Sequence, residues 1–331
     1  MSTMPNTTTQ TTQLAPLAPE IKEFYVKTLL NSTEPKLVYN RYGDEYPIPE
    51  GNDTTMEWRR FSKLPKALTP LTEGVTPVGN KLEVSVIKGS VKQYGDWIRY
   101  SDIIKLAAID KIVVQGTKAL GSQAGRTLDT ITREVVCGGT NVMYAPSKMA
   151  DGSEEEVLTR SALTATSKLT VDSILRACTE LDAFDNDGID GGEDYVVVLH
   201  PYAAYDLRRD PEWKHWQQHN NSERLYSGEV GRIGKARIVE SSEAKIITGD
   251  GCPEGLAVFL TMVIAGHAYG VTKLEGAGLQ HIIKPLGYGE DPLNQRASIG
   301  WKATHGAQRL NEEAMVRIEH TSSYSKMATA N

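Results

Sequence analysis

Residues 54–88 read TTMEWRRFSKLPKALTPLTEGVTPVGNKLEVSVIK. Both ends of this stretch are strand-like. In Thr54–Phe61, Met56 and Trp58 fall on one face while Glu57 and Arg59 fall on the other. In Lys81–Lys88, Leu82, Val84 and Val86 alternate with Glu83 and Ser85, the pattern of a half-buried strand. Between them lies a polar connection centred on TPLTEGVTPVG (Thr69–Gly79), rich in proline, glycine and threonine, which reads as turns and loop. Connections this long inside a compact domain are functional or disordered, and no catalytic group sits in this one. A strand of eight residues spans about 26 Å, and half of the connection adds about 10–20 Å. A compact globule of this chain length has a radius of gyration of about 20 Å. The ribbon therefore lies along its own domain or projects beyond it. Two-stranded hairpins are marginal alone in water, so a projecting ribbon expects a partner surface.

The whole chain has 331 residues, of which 40% are hydrophobic and 24% charged, an ordinary soluble composition with room for about two domains. A net charge of −6 argues against a dedicated nucleic-acid binder, though not against loose contact through a local patch. Cys137, Cys178 and Cys252 stand far apart without a CxxC pair, which fits a reducing compartment and no disulfide framework. The first 20 residues carry no Lys or Arg and no apolar run, so they do not read as a secretory signal. The longest apolar run, Gly255–Gly266, is shorter than the ~20 residues a membrane span needs and reads as a buried strand.

Other elements follow from periodicity. Residues 1–17 are Thr/Gln-rich and cannot order themselves. PEIKEFYVKTLL (Pro19–Leu30) reads as a helix opened by proline. VKQYGDWIRYS (Val91–Ser101) is a further strand. From Asp110 to Cys137 runs the strongest helical signal, with Ile112, Gly116, Leu120, Ala124, Leu128, Ile131 and Val135 on one apolar stripe and Gly138–Gly139 ending it. Thr170 is positioned to cap a helix through Val171, Ile174, Leu175, Cys178 and Leu181. A strand at Tyr195–Pro201, one helix over YAAYDLRRDPEWKHWQQ (Tyr202–Gln218), strands around KARIVES and AVFLTMVIAG, and a last half-buried strand with Ala314, Val316 and Ile318 inward complete the reading. The mixture lacks βαβ regularity and implies an α+β fold.

No motif for chemistry survives inspection. DNDGIDGGED (Asp185–Asp194) resembles a calcium loop, but taking Gly191 as its glycine puts Val197 where a glutamate is needed, and taking Gly188 puts Ala183 at the first ligand. His215 and His219 stand four apart without an identifiable third ligand. Gly228–Ala236 and Gly276–His281 each break the phosphate-binding patterns they approach, with Ala236 and His281 at decisive positions. Gly121–Gly125 carries Gln123 where a nucleophile elbow needs serine. Cys137 has no neighbouring base in the sequence. No cofactor or metal is expected. Aromatics and arginines cluster instead in MEWRRF and YGDWIRY, on the hairpin and its base, as favoured at protein–protein contacts.

The order of these parts, and the stretches FSKLPKALTPLTEGVTP, QYGDWIRYSD, GRTLDTITREVVCGGTNVMYA, RSALTATSKLTVDSI, VVVLHPYAAYDLRRDPEW, ARIVESSEAKI and DPLNQRASIGWKA, resemble the major capsid proteins of tailed bacteriophages. That shell-forming fold is shared with encapsulins. The resemblance implies an N-terminal arm with a short helix (1–45), an extended β-hairpin loop (46–100), a peripheral domain with a long spine helix (101–190), an axial domain (191–300), and a returning peripheral strand with a C-terminal tail (301–331). It implies a structural, non-enzymatic subunit that assembles into pentamers and hexamers of an icosahedral shell around double-stranded DNA. The shell would form in the host cytoplasm and end in the virion, without membrane contact. Thr69, Pro70, Leu71, Thr72, Glu73, Gly74, Val75, Thr76, Pro77, Val78 and Gly79 are then the assembly tip of the extended loop, with Trp58, Arg59 and Arg60 on its strands. Only about 20 residues precede the first helix, so a separate scaffolding protein is expected, with portal and decoration proteins as further partners. The alternatives are an encapsulin-like compartment, separable by whether purified particles hold nucleic acid, and an oligomeric α+β enzyme, which would need a converging His, Asp/Glu or Cys set.

Overall fold

The computed structural model describes residues 29, 37–49, 55–70, 73, 74, 76, 79–103, 112–149, 151–219, 229–249, 251–274, 278–288 and 291–331. The helix expected at Pro19–Leu30 lies outside these residues except for Leu29, which is buried beside Tyr100 and Leu120. In chain order the elements are β1 (Asp44–Ile48), β2 (Thr55–Phe61), β3 (Val84–Ser90), β4 (Lys92–Ser101), α1 (Ile112–Cys137), β5 (Val142–Tyr144), β6 (Ser147–Lys148), β7 (Glu154–Glu155), α2 (Val171–Ala183), β8 (Tyr195–Leu199), α3 (Pro201–Arg209), α4 (Pro211–His219), β9 (Glu229–Ile233), β10 (Ala236–Glu240), β11 (Ile246–Ile247), β12 (Val258–Ile264), β13 (Tyr269–Leu274), β14 (Gln280–Lys284), β15 (Arg296–Arg309) and β16 (Met315–His320). The α+β composition expected from the sequence is observed.

The long helix α1 extends over 26 residues, about 39 Å. Leu120, Ala124 and Leu128 pack on Tyr100, Ala297, Ile299, Trp301 and Ala303 of a five-stranded sheet. That sheet runs β1-β13-β15-β14, with β4 also paired to β15 over ten residues, Arg296↔Ser101 to His305↔Lys92. The buried stripe differs from the one read in the sequence. Towards the C-terminal end, Ile131 and Val135 are only partly buried, while Asp129, Thr132, Arg133 and Val136 are buried. These polar groups have partners. Asp129 Oδ1 accepts from the backbone N–H of Tyr39 at 2.7 Å and of Asn40 at 3.2 Å, fastening the arm to the helix. Burial pushes the Asp129 carboxyl up to about 7. The Thr132 hydroxyl meets Asn40 Oδ1 and lies 2.9 Å from His305 Nε2. The last turn leaves carbonyls unpaired. Arg309 donates to Val135 O at 3.1 Å, and Arg317 donates to Cys137 O and, at 3.0 Å, to Gly139 O. Cations at this end also suit the helix dipole.

The second sheet has seven strands, ordered β5-β16-β12-β8-β10-β9, with β11 also paired to β12. Strands β8 and β12 are buried along their full length, as continuous apolar runs covered on both faces require. Helix α2 supplies Ile174, Ala177 and Leu181 to this core, and α3 supplies Ala203, Ala204 and Leu207. Thr170 caps α2 as expected, its hydroxyl accepting from Ser173 N at 3.2 Å.

Two expectations change. The single helix at 202–218 is two, because Pro211 forces Asp210 out of the helical region (φ −61°, ψ 131°). Asp210 then accepts from Val171 N at 3.0 Å, linking the break to the start of α2. The last strand, β16, is not half-buried, because it lies between β5 and β12 and its nominally outward residue Glu319 is fully buried. Arg160 closes on that carboxylate with two hydrogen bonds of 2.6 Å, and Arg317 Nε stands 3.0 Å from it. β16 pairs with β12 over six positions, whereas β15 spans residue 300 and packs under α1.

Candidate assembly surface

Strands β2 and β3 form a separate antiparallel ribbon, Thr55↔Ser90 to Phe61↔Val84, which Ser62 N extends by donating to Glu83 O at 3.0 Å. Its two faces have different fates. On one, Met56, Trp58 and Ile87 are half-buried against the body. The Trp58 indole meets Tyr46 edge-on at 5.8 Å. It lies so close to Gly89 that a Cβ there would come within 2.6 Å of the ring, and a Cβ on Gly270 within 3.3 Å. Two glycines thus make the slot for one tryptophan. Beside it, Arg60 reaches Glu313 at 3.3 Å.

The opposite face carries Phe61, Arg59, Val84 and Val86, with Leu82 next in the alternation. Phe61 is 57%, Leu82 56%, Val84 47% and Val86 48% exposed. The apolar alternation of Lys81–Lys88 is therefore real, but it points away from the chain's own core. Glu57 and Lys88 flank it as a 2.7 Å ion pair. Leu64 and Leu68, in the connection that follows, are also exposed. Of the expected loop tip, Thr69, Pro70, Glu73, Gly74, Thr76 and Gly79 are exposed, and Gly74 adopts φ +78°, as a tight turn requires. Leu71, Thr72, Val75, Pro77 and Val78 lie outside the described residues. Among the three strand residues singled out, Trp58 and Arg60 turn toward the body and only Arg59 turns outward.

A second exposed patch occupies the face of β4, β15 and β14 opposite α1. Strand register places Trp97 beside Gly300 and Ile282 beyond it. A Cβ on Gly300 would meet Trp97 Cβ at 2.9 Å, so glycine lets the indole lie down across the sheet. Arg99 stacks over Trp97 at 4.9 Å and Lys284 over Tyr288 at 4.8 Å. With Lys302 these groups line an open hollow of about 590 Å³. Trp97 is 54% and Tyr288 62% exposed. From below, Gln123 of α1 holds the strand, donating to Asp96 Oδ2 at 2.5 Å and accepting from Trp301 Nε1 at 3.3 Å. The aromatic signal of YGDWIRY is visible in the sequence, but Ile282, Lys284, Tyr288 and Lys302 join it only through long-range strand pairing.

Cys137, His200 and the Asp185–Asp194 loop have structural roles. Burial pushes the Cys137 thiol up to about 12, which leaves it unreactive. His200 caps α3, its Nδ1 accepting from Tyr202 N at 3.2 Å. The Asp185–Asp194 loop folds as a backbone-paired turn, with Gly188 N donating to Gly192 O and Ile189 N to Asp194 O. His219 has a side chain outside the described residues. Among the described residues no group of three or more His, Cys, Asp and Glu side chains is placed to hold a metal, and no helix is long and apolar enough to cross a membrane.

No protein-family model matches the chain, and no curated protein does. Solved structures do. The chain is similar to one from the capsid of Ralstonia phage GP4, with a TM-score of 0.65 and 13% identity over 88% of this chain and 89% of that one. It is similar to one from the capsid of cyanophage P-SCSP1u, with a TM-score of 0.63 and 13% identity over 87% and 89%. It is also similar to one from the head of Helicobacter pylori bacteriophage KHP40, with a TM-score of 0.60 and 10% identity over 89% and 91%. At such low identity the likeness establishes the fold: this chain has the architecture of phage capsid subunits, over nearly its whole length.

Proposed function

We propose that the protein is a structural, non-enzymatic major capsid subunit, which assembles into pentamers and hexamers of an icosahedral shell enclosing double-stranded DNA. The observation that carries this reading is the ribbon, whose apolar outer face is exposed among the described residues although its inner face is fitted to the body. A repeated head-to-tail contact needs two different patches on one molecule. The outer ribbon face with the 69–79 tip is one, and the Trp97–Tyr288 face is the other. Five- and six-fold repetition of that contact closes rings, and rings close a shell. Each contact can be modest because many form together. Exposed aromatics with arginine suit the core of such a contact. The net negative charge fits a wall that confines DNA without gripping it.

Assembly in a bacterial host cytoplasm, with scaffolding, portal and decoration proteins, completes the proposal, as does the assignment of 101–190 to a peripheral and 191–300 to an axial region. Negative-stain microscopy of the expressed chain tests it, with closed particles or capsomer rings as the expected outcome. Monodisperse monomers at every concentration would refute it. Nuclease-protected DNA in particles from infected cells separates a capsid from an encapsulin-like compartment holding protein.

A further inference from the structure

Beyond β16 the chain does not leave the body. Ser322 Oγ lies 2.9 Å from Asp206 Oδ2 of α3, Ser323 N donates to the same oxygen at 2.8 Å, and the Ser323 hydroxyl meets Oδ1. Tyr324 stacks on Tyr202 at 4.6 Å and meets Tyr205 edge-on at 5.4 Å. Ala257 N donates to Lys326 O at 2.7 Å. Ala328 packs on the cluster of Ile246, Ala257 and Phe259. Asn331 then pairs its amide with the backbone entering β11: Ile246 N donates to its Oδ1 at 2.9 Å, and its Nδ2 donates to Ala244 O at 3.0 Å. Only a side chain with donor and acceptor side by side makes that pair. Its main-chain oxygen accepts from Arg133 Nη2 at 3.1 Å. Arg133 belongs to α1, is 2% exposed, and also donates to Glu243 O and Glu134.

We propose that residues 324–331 are a clasp, a peptide ligand held in a groove of the same chain walled by α3, β11 and the last turns of α1. The contacts divide the labour. Asp206 sets the entry, Tyr202 and Tyr205 receive the aromatic anchor, and the Ala244–Ile246 backbone with Arg133 reads the asparagine. Closing the clasp adds a link between the long helix and the seven-stranded sheet, beside the Arg133–Glu243 bond, the Glu134–Lys245 pair and the Arg317 bonds to Cys137 O and Gly139 O. The clasp therefore reinforces the junction of the helix and the sheet within one subunit, independently of any contact between copies.

The test uses a chain ending at Ser323 and a fluorescent synthetic peptide of residues 324–331, titrated by anisotropy. Saturable binding to the shortened chain is expected. An Asn331→Ala peptide should bind at least tenfold more weakly, and the intact chain, whose groove is filled, should show no binding. Equal affinity of the two peptides, or equal binding to the intact chain, would overturn the proposal. Should the shortened chain not fold, amide exchange on the full chain decides. The Ile246 N–H is expected to exchange about tenfold faster in Asn331→Ala than in the native chain. Unchanged exchange, or protection that appears only as concentration rises, would overturn a clasp within one subunit.

Discussion

Strands β3 and β16 carry the same message in the sequence and meet opposite fates in the fold. In and just before each strand apolar residues recur at every second position, Leu82, Val84 and Val86 for β3 and Ala314, Val316 and Ile318 for β16. In β16 the polar positions Glu319 and His320 are buried, Glu319 completely, because strands flank it on both sides and arginines neutralise it. In β3 the alternating Val84 and Val86 are exposed, and the other face rests on the body through Ile87 and Gly89. Alternation fixes which residues share a face. It does not say which face meets the core, or whether that core belongs to the same chain. The difference marks β16 as an internal strand and leaves β3 with the exposed apolar face that the proposed contact between copies would cover.

The sharpest way to break this comparison is to make β3 polar. Phe61→Ser, Val84→Ser and Val86→Ser together should abolish assembly in electron micrographs. Each replaces an exposed residue, so calorimetry should find stability within about 0.5 kcal/mol per site of the native chain. A large loss of stability would mean that the face is already buried within the subunit. The mirror experiment is Glu319→Ala, which leaves Arg160 and Arg317 without their shared carboxylate. Chemical denaturation should show a loss of about 3–5 kcal/mol, in contrast to the exposed ribbon.

Acid should also act on the body. Burial holds His305 and His320 at about 4, so the unfolded chain binds protons more readily than the folded one between pH 4 and 6.5. Two histidines therefore make stability rise with pH across that window. Asp129, raised to about 7, opposes them, because the folded state holds its proton where the unfolded state has released it. Burial also lowers His200 and His281, so the balance predicts stability that rises with pH from about 4 toward 6.5. Denaturant midpoints across that range would check it, and a flat or falling profile would show that the histidines are not buried as described. The smallest effect expected is at Thr170→Ala, which removes the α2 cap for about 1 kcal/mol and should leave assembly unchanged.

Much of this architecture is legible in the residues. The ribbon, α1 and the Thr170 cap rest on local periodicity and local hydrogen bonds, which sequence spacing encodes directly. What was hidden depends on distant partners. The buried polar stripe of Asp129, Thr132 and Arg133 looks like a break in an apolar face until Tyr39, His305 and Asn331 are brought to it. The Glu319 carboxylate looks solvent-facing until Arg160 closes on it. Trp58, Arg59 and Arg60 look equivalent as interface residues, yet strand alternation and the slot between Gly89 and Gly270 turn the tryptophan inward and put Arg59 on the opposite face. The Trp97 patch needs the β4–β15–β14 register before its cations and aromatics share one face.

The central claim is that the ribbon of one subunit is completed by another copy. Its most direct test is electron microscopy of the intact chain beside a chain lacking Thr69–Gly79, with circular dichroism verifying that both are folded. The account predicts closed particles from the first and a soluble, folded, unassembled subunit from the second. Closed particles from the shortened chain would contradict it.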